Sequence, residues 1–209
     1  PSSIKNLKSL GGLTFAFNSI SNVSPKIGKL HKLEQLSFYK NELPHIPAGV
    51  FKLTSLRDLD LYYNQIETVP DSITSLKNLY ILYLAFNRIN RVTDKLGELT
   101  NLRQVYLHNN RISVLPESMG KLQHVNILRV NDNYLTQLPS SLLNLAELEN
   151  LDIARNNFHT LNIDLSMFGK LTFLDMSENP WNNQDEIATK IKKFEDRGAV
   201  VRNFASGEK

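Results

Sequence analysis

The chain has 209 residues, of which 41% are hydrophobic and 22% are charged, and this composition is typical of a folded protein rather than a disordered one. Lysine and arginine number 24 against 21 acidic residues, so the net charge of +3 does not favour nucleic acid as a partner. The absence of cysteine excludes disulfides, thiolate metal ligands and cysteine nucleophiles.

The sequence shows neither a targeting signal nor a membrane-spanning segment. Its start, PSSIKNLKSL, has neither the charged start nor the apolar stretch of a secretory signal, and no apolar run is long enough to span a bilayer. We therefore expect no membrane insertion. A cytoplasmic location is favoured for the chain as given, and a secreted or cell-surface location stays open if a signal was removed.

One asparagine recurs every 23 residues along the chain, without insertion or deletion. The eight positions are Asn18, Asn41, Asn64, Asn87, Asn110, Asn133, Asn156 and Asn179. Apolar residues recur eight, five and three positions before each asparagine, which gives the local pattern LxxLxLxxN. The alternation LxL is typical of a short, half-buried strand. Because a unit this short cannot bury its apolar face alone, the repeats are predicted to stack on one another.

The second half of each repeat is predicted to turn the chain onto the opposite side of the strands. In four repeats a proline follows the last apolar position and prevents a strand or helix from continuing through it. Ser24, Thr93 and Asn162 occupy this position in three other repeats. Segments such as DSITSLKNL then have apolar residues three apart, which suits one or two turns of helix or 3-10 helix.

The full unit, LxxLxxLxLxxNxIxxLPxxIxxL, resembles the 23-residue LPxxIxxL class of the leucine-rich-repeat family, which includes Ras-suppressor/Scribble-like and bacterial proteins. The resemblance implies an α/β fold, a right-handed solenoid or horseshoe with a parallel concave β-sheet and short helical or 3-10 segments on the convex side. It also implies a scaffold that binds a protein partner.

We predict one domain in two parts, with eight repeats over residues 1–184 and a C-terminal cap over residues 185–209. The opening PSSIKNL matches only the PxxIxxL part of a unit, so the first repeat is incomplete. The closing AVVRNF is predicted to form a short edge strand after a helix, and this ending resembles that of many bacterial repeat proteins. A bacterial origin is therefore expected.

The predicted cap helix begins at about Asp185, with Asn182 or Asn183 as its N-cap, and Gly198 ends it. Its apolar residues fall on one face, which is predicted to cover the last repeat. These residues are Ile187, Ile191 and Phe194.

Core columns are fixed by stacking, so binding must use the variable positions that point outward from the strands. One zone of these positions is aromatic and consists of Phe17, Tyr39, Tyr62, Tyr63, Tyr83, Phe86 and Tyr106. Large exposed aromatic side chains are typical interface anchors. Alternatively, the phenylalanines pack at the turn edge and the tyrosines only shield the sheet. Tyr62 is the predicted main anchor, because the small Ala85 would leave one flank of its ring open.

A second outward zone is polar and mixed in sign. It consists of Arg129, Asp132, Tyr134, Asp152, Arg155 and Asp175. Arg129 and Arg155 are predicted to bind a partner, and ion pairs between neighbouring strands are the alternative. The repeat asparagines, in contrast, are predicted to be structural and to bond backbone groups of the neighbouring repeat.

Catalysis finds no support in the sequence. The five histidines fall at different repeat positions, and no HExxH, GxSxG or glycine-rich phosphate loop is present. Only His108 is predicted to face the concave side, and no outward serine or threonine lies beside it to act as a nucleophile. We expect a monomeric, non-enzymatic module without cofactor or metal that binds a protein on its concave face. A receptor or adhesion module for a glycan or peptide, or a regulator of small GTPases or phosphatases, are the alternatives.

Overall fold

A computed structural model describes residues 6–203, and in it the chain forms a right-handed horseshoe-shaped solenoid. The strands are β1 (Gly12–Thr14), β2 (Gln35–Ser37), β3 (Asp58–Asp60), β4 (Thr68–Val69), β5 (Ile81–Tyr83), β6 (Arg91–Val92), β7 (Gln104–Tyr106), β8 (Ile127–Arg129), β9 (Asn150–Asp152), β10 (Phe173–Asp175) and β11 (Val200–Arg202). Nine of them form one parallel sheet along the concave side, and β4 pairs separately with β6. The predicted parallel sheet is therefore confirmed.

Short 3-10 helices line the convex side. They span Pro25–Lys29, Val50–Lys52, Asp71–Ser75, Leu96–Glu98, Glu117–Lys121, Ser140–Asn144 and Leu165–Met167. Neighbouring turns approach closely where the sequence has glycine, since a Cβ on Gly97 would lie 1.9 Å from the carbonyl oxygen of Ser118. The 3-10 alternative of the sequence prediction is thus the one that the chain adopts.

The three residues that replace the proline form hydrogen bonds instead. The Ser24 side chain accepts a bond from the backbone N–H of Lys26, and Thr93 bonds the carboxylate of Asp71. Asn162 bonds both backbone groups of Leu138, with Nδ2 donating at 2.7 Å and Oδ1 accepting at 3.1 Å. At these positions side-chain hydrogen bonds fix the bend that proline fixes elsewhere.

Each repeat asparagine from Asn41 to Asn179 joins its own repeat to the one before it, whereas Asn18 donates to the carbonyl oxygens of Phe15 and Ala16 in its own repeat. Asn87 Nδ2 donates to the carbonyl oxygens of Leu61, Leu84 and Ala85 at 2.9, 3.0 and 3.2 Å, and its Oδ1 accepts from Ile66 N at 2.9 Å. The same pattern holds for Asn41, Asn64, Asn110, Asn133, Asn156 and Asn179. The predicted structural role of these side chains is confirmed.

The residue before each repeat asparagine has a left-handed backbone, with φ between 49° and 57°, although none of them is glycine. They are Phe17, Lys40, Tyr63, Phe86, Asn109, Asp132, Arg155 and Glu178. Non-glycine residues pay a steric cost in this region. Hydrogen bonds to the next repeat offset it: Tyr63 N donates to Ala85 O at 3.1 Å and Asn64 N to Phe86 O at 3.2 Å.

The apolar columns form one continuous core that runs the length of the solenoid. Strand residues such as Leu59, Leu82 and Val105 are fully buried. Phe158 stacks on Trp181 with ring centroids 6.0 Å apart, which carries the core into the last repeat. Each column therefore buries its side chains only because the next repeat covers them.

A helix and a strand follow the last repeat, as predicted. The helix α1 spans Gln184–Glu195, with Asn183 as its N-cap, and β11 pairs in parallel with β10. The α1 side chains Ile187, Ile191 and Phe194 are buried, and the helix packs against the 3-10 helix Leu165–Met167. The predicted repeat match of PSSIKNL and the predicted strand AVVRNF extend into residues 1–5 and 204–209, which lie outside the described residues.

Replacing Asn87 by alanine should lower the free energy of unfolding by about 1–3 kcal/mol, because it leaves buried backbone groups of two repeats without partners. Urea denaturation measures this loss. Asn90→Ala is the matched control, since Asn90 is exposed and its removal should change stability by less than about 0.5 kcal/mol. Equal midpoints for the Asn87 variant and the unmodified chain would contradict the structural role.

Deleting residues 185–209 should cause aggregation or a large loss of stability, because the apolar surface under α1 would meet water. Light scattering after size exclusion and thermal melting measure both effects. In the full chain, Ile191→Asp should reproduce the stability loss, whereas Lys192→Asp on the exposed side of α1 should not. A truncated chain that stays monomeric with an unchanged melting temperature would show that residues 185–209 do not act as a cap.

Candidate binding surface

The seven predicted aromatic residues lie together on the concave face and are called the aromatic cluster below. Its members are Phe17, Tyr39, Tyr62, Tyr63, Tyr83, Phe86 and Tyr106, drawn from five adjacent repeats. Ring centroids are 5.0 Å apart for Phe17 and Tyr39, 5.7 Å for Tyr39 and Tyr63, and 6.2 Å for Tyr62 and Tyr83. The rings therefore form one contiguous surface.

Two pairs of rings in the cluster stack face to face. Tyr63 lies 4.1 Å from Phe86 at 13°, and Tyr83 lies 4.8 Å from Tyr106 at 15°. The members of each pair occupy the same column in adjacent repeats, so their ring normals run along the solenoid axis. Ring edges, rather than faces, consequently point into the concavity.

Tyr62 lies at the centre of the cluster. Its ring contacts those of Tyr39, Tyr63, Tyr83, Phe86 and His108. The open flank predicted beside Ala85 does not exist, because Phe86 and His108 occupy it with centroids 5.6 and 5.4 Å from that of Tyr62. The rings that protrude most are Phe17, which is 67% exposed, and Tyr63, which is 40% exposed.

The Tyr62 hydroxyl forms a hydrogen bond with Nε2 of His108. Burial raises the pKa of Tyr62 to about 12, with a smaller contribution from Tyr63, so the hydroxyl keeps its proton at neutral pH. Burial also lowers the pKa of His108 to about 4, and the positive charge of Arg129 adds to this effect. A neutral His108 carries one ring proton, and the nitrogen that holds it decides whether Nε2 accepts from the Tyr62 hydroxyl or donates to it.

His108 was predicted from the sequence to face the concave side, but its part in the aromatic cluster was missed. Its side chain is 8% exposed and contacts the rings of Phe86 and Tyr106 as well as Tyr62. The signal was present in the repeat register, because His108 follows Tyr39, Tyr62 and Ala85 in one column.

Arg155 in the polar zone is paired within the chain. Its Nε and Nη2 donate to the two carboxylate oxygens of Asp132 at 2.6 and 2.9 Å, and Nη1 donates to Glu178 at 3.3 Å. Burial alone would raise the pKa of Asp132, but the hydrogen bonds from Arg155 and Asn131 outweigh it and lower the pKa. The geometry agrees with the ion-pair alternative for Arg155, and partner binding by this residue stays a prediction.

Arg129 differs from Arg155 in its surroundings. Its guanidinium carbon lies 6.0 Å from the ring centroid of Tyr106. Within residues 6–203, no carboxylate comes within 4.0 Å of its nitrogens, and its buried Nε has no hydrogen-bond partner. Arg129 is thus the better candidate of the two predicted arginines for contact with a partner.

Two carboxylates face each other beyond Arg129, on β9 and β10. Burial raises the pKa of Asp152 to about 6, although a backbone hydrogen bond from Ala154 opposes it. Asp175 is 7% exposed, accepts from the Ser177 hydroxyl at 2.6 Å and lies 3.7 Å from a nitrogen of Arg202. These contacts hold the carboxylate of Asp175 at the C-terminal end of the sheet, next to β11.

A column beside the strands was missed in the sequence. Tyr80 lies between Arg57 and Arg103, whose guanidinium carbons are 5.6 and 5.7 Å from its ring centroid, and Glu34 lies 3.6 Å from Arg57. The four residues are spaced by 23, so the repeat register places them in a row. Among the described residues no group of three histidine or acidic side chains is arranged to hold a metal ion, and none of the helices there is both long and apolar enough to cross a membrane.

A stack of in-register 23-residue units with an exposed concave sheet defines a solenoid repeat protein. The model of the family described as Leucine rich repeat matches residues 31–89, 77–135 and 100–158. The chain therefore belongs to the leucine rich repeat family, whose fold typically mediates binding to other proteins. No match was found among curated protein sequences.

Solved structures share this fold. An internalin (inlF) from Listeria monocytogenes is 25% identical, with a TM-score of 0.83 over 98% of this chain and 57% of that chain. A TDR receptor is 25% identical, with a TM-score of 0.85 over 99% of this chain and 36% of the receptor. The ectodomain of the Arabidopsis thaliana receptor kinase GASSHO1/SCHENGEN3 is 25% identical, with a TM-score of 0.66 over 86% and 25%. The chain thus spans just over half of the internalin, and the internalin match agrees with the expected bacterial origin.

The neutral His108 should make stability depend on pH. Its pKa of about 4 in the folded chain lies below the ordinary 6.5, so the unfolded chain binds more protons between these values. The stability that His108 contributes should be complete above pH 6.5 and should be lost as the pH falls towards 4. Asp152 changes stability in the opposite direction in this range, so the chain must be compared with His108→Gln at each pH.

Thermal melting from pH 7 to pH 4 should show the unmodified chain losing stability relative to His108→Gln. An NMR titration of the His108 ring should give a midpoint well below that of a free histidine. A ring midpoint near 6.5, with no pH-dependent difference between the two proteins, would contradict the burial of a neutral His108.

Proposed function

We propose that the chain is a non-enzymatic module that binds a protein partner across its concave face, with the aromatic cluster as the main contact region. The observation that carries this proposal is the contiguous aromatic surface, in which Phe17 and Tyr63 protrude from a packed bed of rings. Large side chains that are already held in place lose little freedom on binding, which favours affinity. Clustered aromatic residues are also frequent among the few residues that dominate binding energy.

The ring geometry favours a protein over a glycan. Sugar rings pack on aromatic faces, but Tyr63 and Phe86 each cover one face of the other's ring, as do Tyr83 and Tyr106. Ring edges instead suit apolar side chains and the faces of a partner's aromatic residues, which prefer edge-to-face contact. The Arabidopsis relative was solved in complex with CASPARIAN STRIP INTEGRITY FACTOR 2, which is consistent with a binding role for this fold.

Replacing Phe17 or Tyr63 by alanine should weaken binding of the partner by about 2 kcal/mol or more if these rings are anchors. Stability should change by only about 0.5 kcal/mol for Phe17→Ala, because Phe17 is 67% exposed. The loss should be larger for Tyr63→Ala, because the Tyr63 ring also stacks on Phe86. Quantitative co-precipitation from cells of the source organism, followed by calorimetry with the purified partner, measures the first effect. Thermal melting measures the second.

Val114→Ala is the matched control, because Val114 is 64% exposed but lies in the column of β6, away from the concave sheet. It should retain the partner. Tyr62→Ala should weaken binding and lower stability together, since five rings and a hydrogen bond hold Tyr62. A partner that binds Phe17→Ala, Tyr63→Ala and the unmodified chain equally would place the contact region elsewhere.

A further inference from the structure

Buried polar atoms without a partner are concentrated in one part of the concave sheet. Within residues 6–203 they are His108 Nδ1, Asn126 Oδ1, Arg129 Nε, Asn131 Oδ1 and Asn150 Oδ1. All five belong to residues on or beside the adjacent strands β7, β8 and β9. Leaving such an atom buried without a partner is unfavourable, and native structures keep few of them. Their concentration in one place makes this part of the sheet a candidate binding site.

Three of these atoms lie beside the aromatic cluster. His108 and Asn131 occupy the same column in adjacent repeats, about 5 Å apart by strand spacing, and Arg129 is two residues before Asn131 on the same side of β8. His108 is 8% exposed and Asn131 is 6% exposed, so both side chains are more than nine-tenths buried. The three side chains form the boundary between the aromatic cluster and the polar zone.

Two of the three atoms have a fixed hydrogen-bonding character. Asn131 Nδ2 donates to Asp132 at 2.5 Å, so Oδ1 is left as an acceptor. Arg129 Nε can only donate. His108 Nε2 is bonded to the Tyr62 hydroxyl, and Nδ1 donates in one tautomer of the neutral ring and accepts in the other. The site therefore needs a group that both accepts and donates hydrogen bonds.

The surrounding charges favour a neutral group. Arg129 and Arg155 are the nearby cations, and the carboxylates of Asp132 and Asp152 balance them. A carboxylate would meet these acids and the oxygen of Asn131, and an ammonium group would meet the arginines. A neutral group that both accepts and donates hydrogen bonds meets neither penalty.

We propose that His108, Arg129 and Asn131 form a polar subsite that binds a neutral side chain of the partner, the carboxamide of asparagine or glutamine or the hydroxyl of serine or threonine. This inference rests on the proposed concave-face function. Both chemical groups accept bonds at oxygen and donate one of their own, so both match Arg129 Nε, His108 Nδ1 and Asn131 Oδ1. The subsite selects partners whose polar side chain lies next to apolar residues that meet the aromatic cluster.

A random peptide library displayed on phage tests the subsite with the full chain as bait. Selected peptides should carry Asn, Gln, Ser or Thr at one fixed position next to apolar residues. Asn131→Leu and Arg129→Met should each weaken these peptides by about tenfold or more, as loss of a buried hydrogen bond does. Exchange of the fixed residue between Gln and Ser in synthetic peptides distinguishes the two groups.

Arg129→Met has a second readout, the melting temperature of the free chain. It removes an unpartnered buried atom, so the melting temperature should stay unchanged or rise. Asn131→Leu is used for the binding readout alone, because it also breaks the hydrogen bond from Asn131 Nδ2 to Asp132. Arg155→Met is the matched control, because it breaks ion pairs to Asp132 and Glu178 and should lower the melting temperature. A lower melting temperature for Arg129→Met, with peptide binding unchanged by either variant, would mean that water satisfies these atoms in a structural role and would overturn the subsite.

The remaining outcomes separate the subsite from the proposed function. Peptides that require Tyr63 but show no preference for Asn, Gln, Ser or Thr, and that bind Asn131→Leu equally well, would overturn the subsite alone. A library whose peptides all bind Phe17→Ala and Tyr63→Ala as well as the unmodified chain, or that yields no peptide, would count against concave-face binding and the subsite together.

Discussion

The side chain of the repeat asparagine is the interaction on which the rest of the structure depends. In Asn87, Nδ2 reaches carbonyl oxygens of its own and the preceding repeat, and Oδ1 accepts a backbone N–H that would otherwise be buried without a partner. Strands of three residues cannot hold a sheet by themselves. The asparagine bonds lock each repeat to its neighbour at one spacing, and a left-handed residue before each asparagine is tolerated as part of that turn.

A fixed spacing has a direct consequence for the concave surface. Residues 23 apart must lie side by side, so Tyr63 stacks on Phe86 and Tyr83 on Tyr106. The same alignment places Arg155 between Asp132 and Glu178, where its charge is used within the chain. Arg129 has Tyr106 and Asp152 as its column neighbours and keeps no ion pair within the described residues. The two arginines thus differ in whether they pair within the chain, because their neighbours one repeat away differ.

Aromatic rings pack closely in one half of the concave face, and the neighbouring half holds buried polar atoms that lack hydrogen-bond partners among the described residues. Aromatic packing holds the rings around Tyr62, whereas the polar atoms of His108, Arg129 and Asn131 remain without partners within residues 6–203. A protein that used this surface only for stability would gain by filling that boundary with apolar side chains. The proposed subsite gives these polar atoms a role in recognition rather than in folding.

The sequence by itself determined the period, the position of each concave strand, the structural asparagines and the helix that begins after Asn183. It could do so because each repeat contacts only its neighbours, which reduces the fold to a pattern along one dimension. The columns also predicted which aromatic residues share the concave face. Only the tertiary structure decided that Tyr62 is enclosed while Phe17 and Tyr63 protrude, and that His108 joins the cluster. A column fixes where a side chain starts, but its rotamer and its burial depend on the shapes of the neighbouring side chains, and the repeat pattern does not encode those.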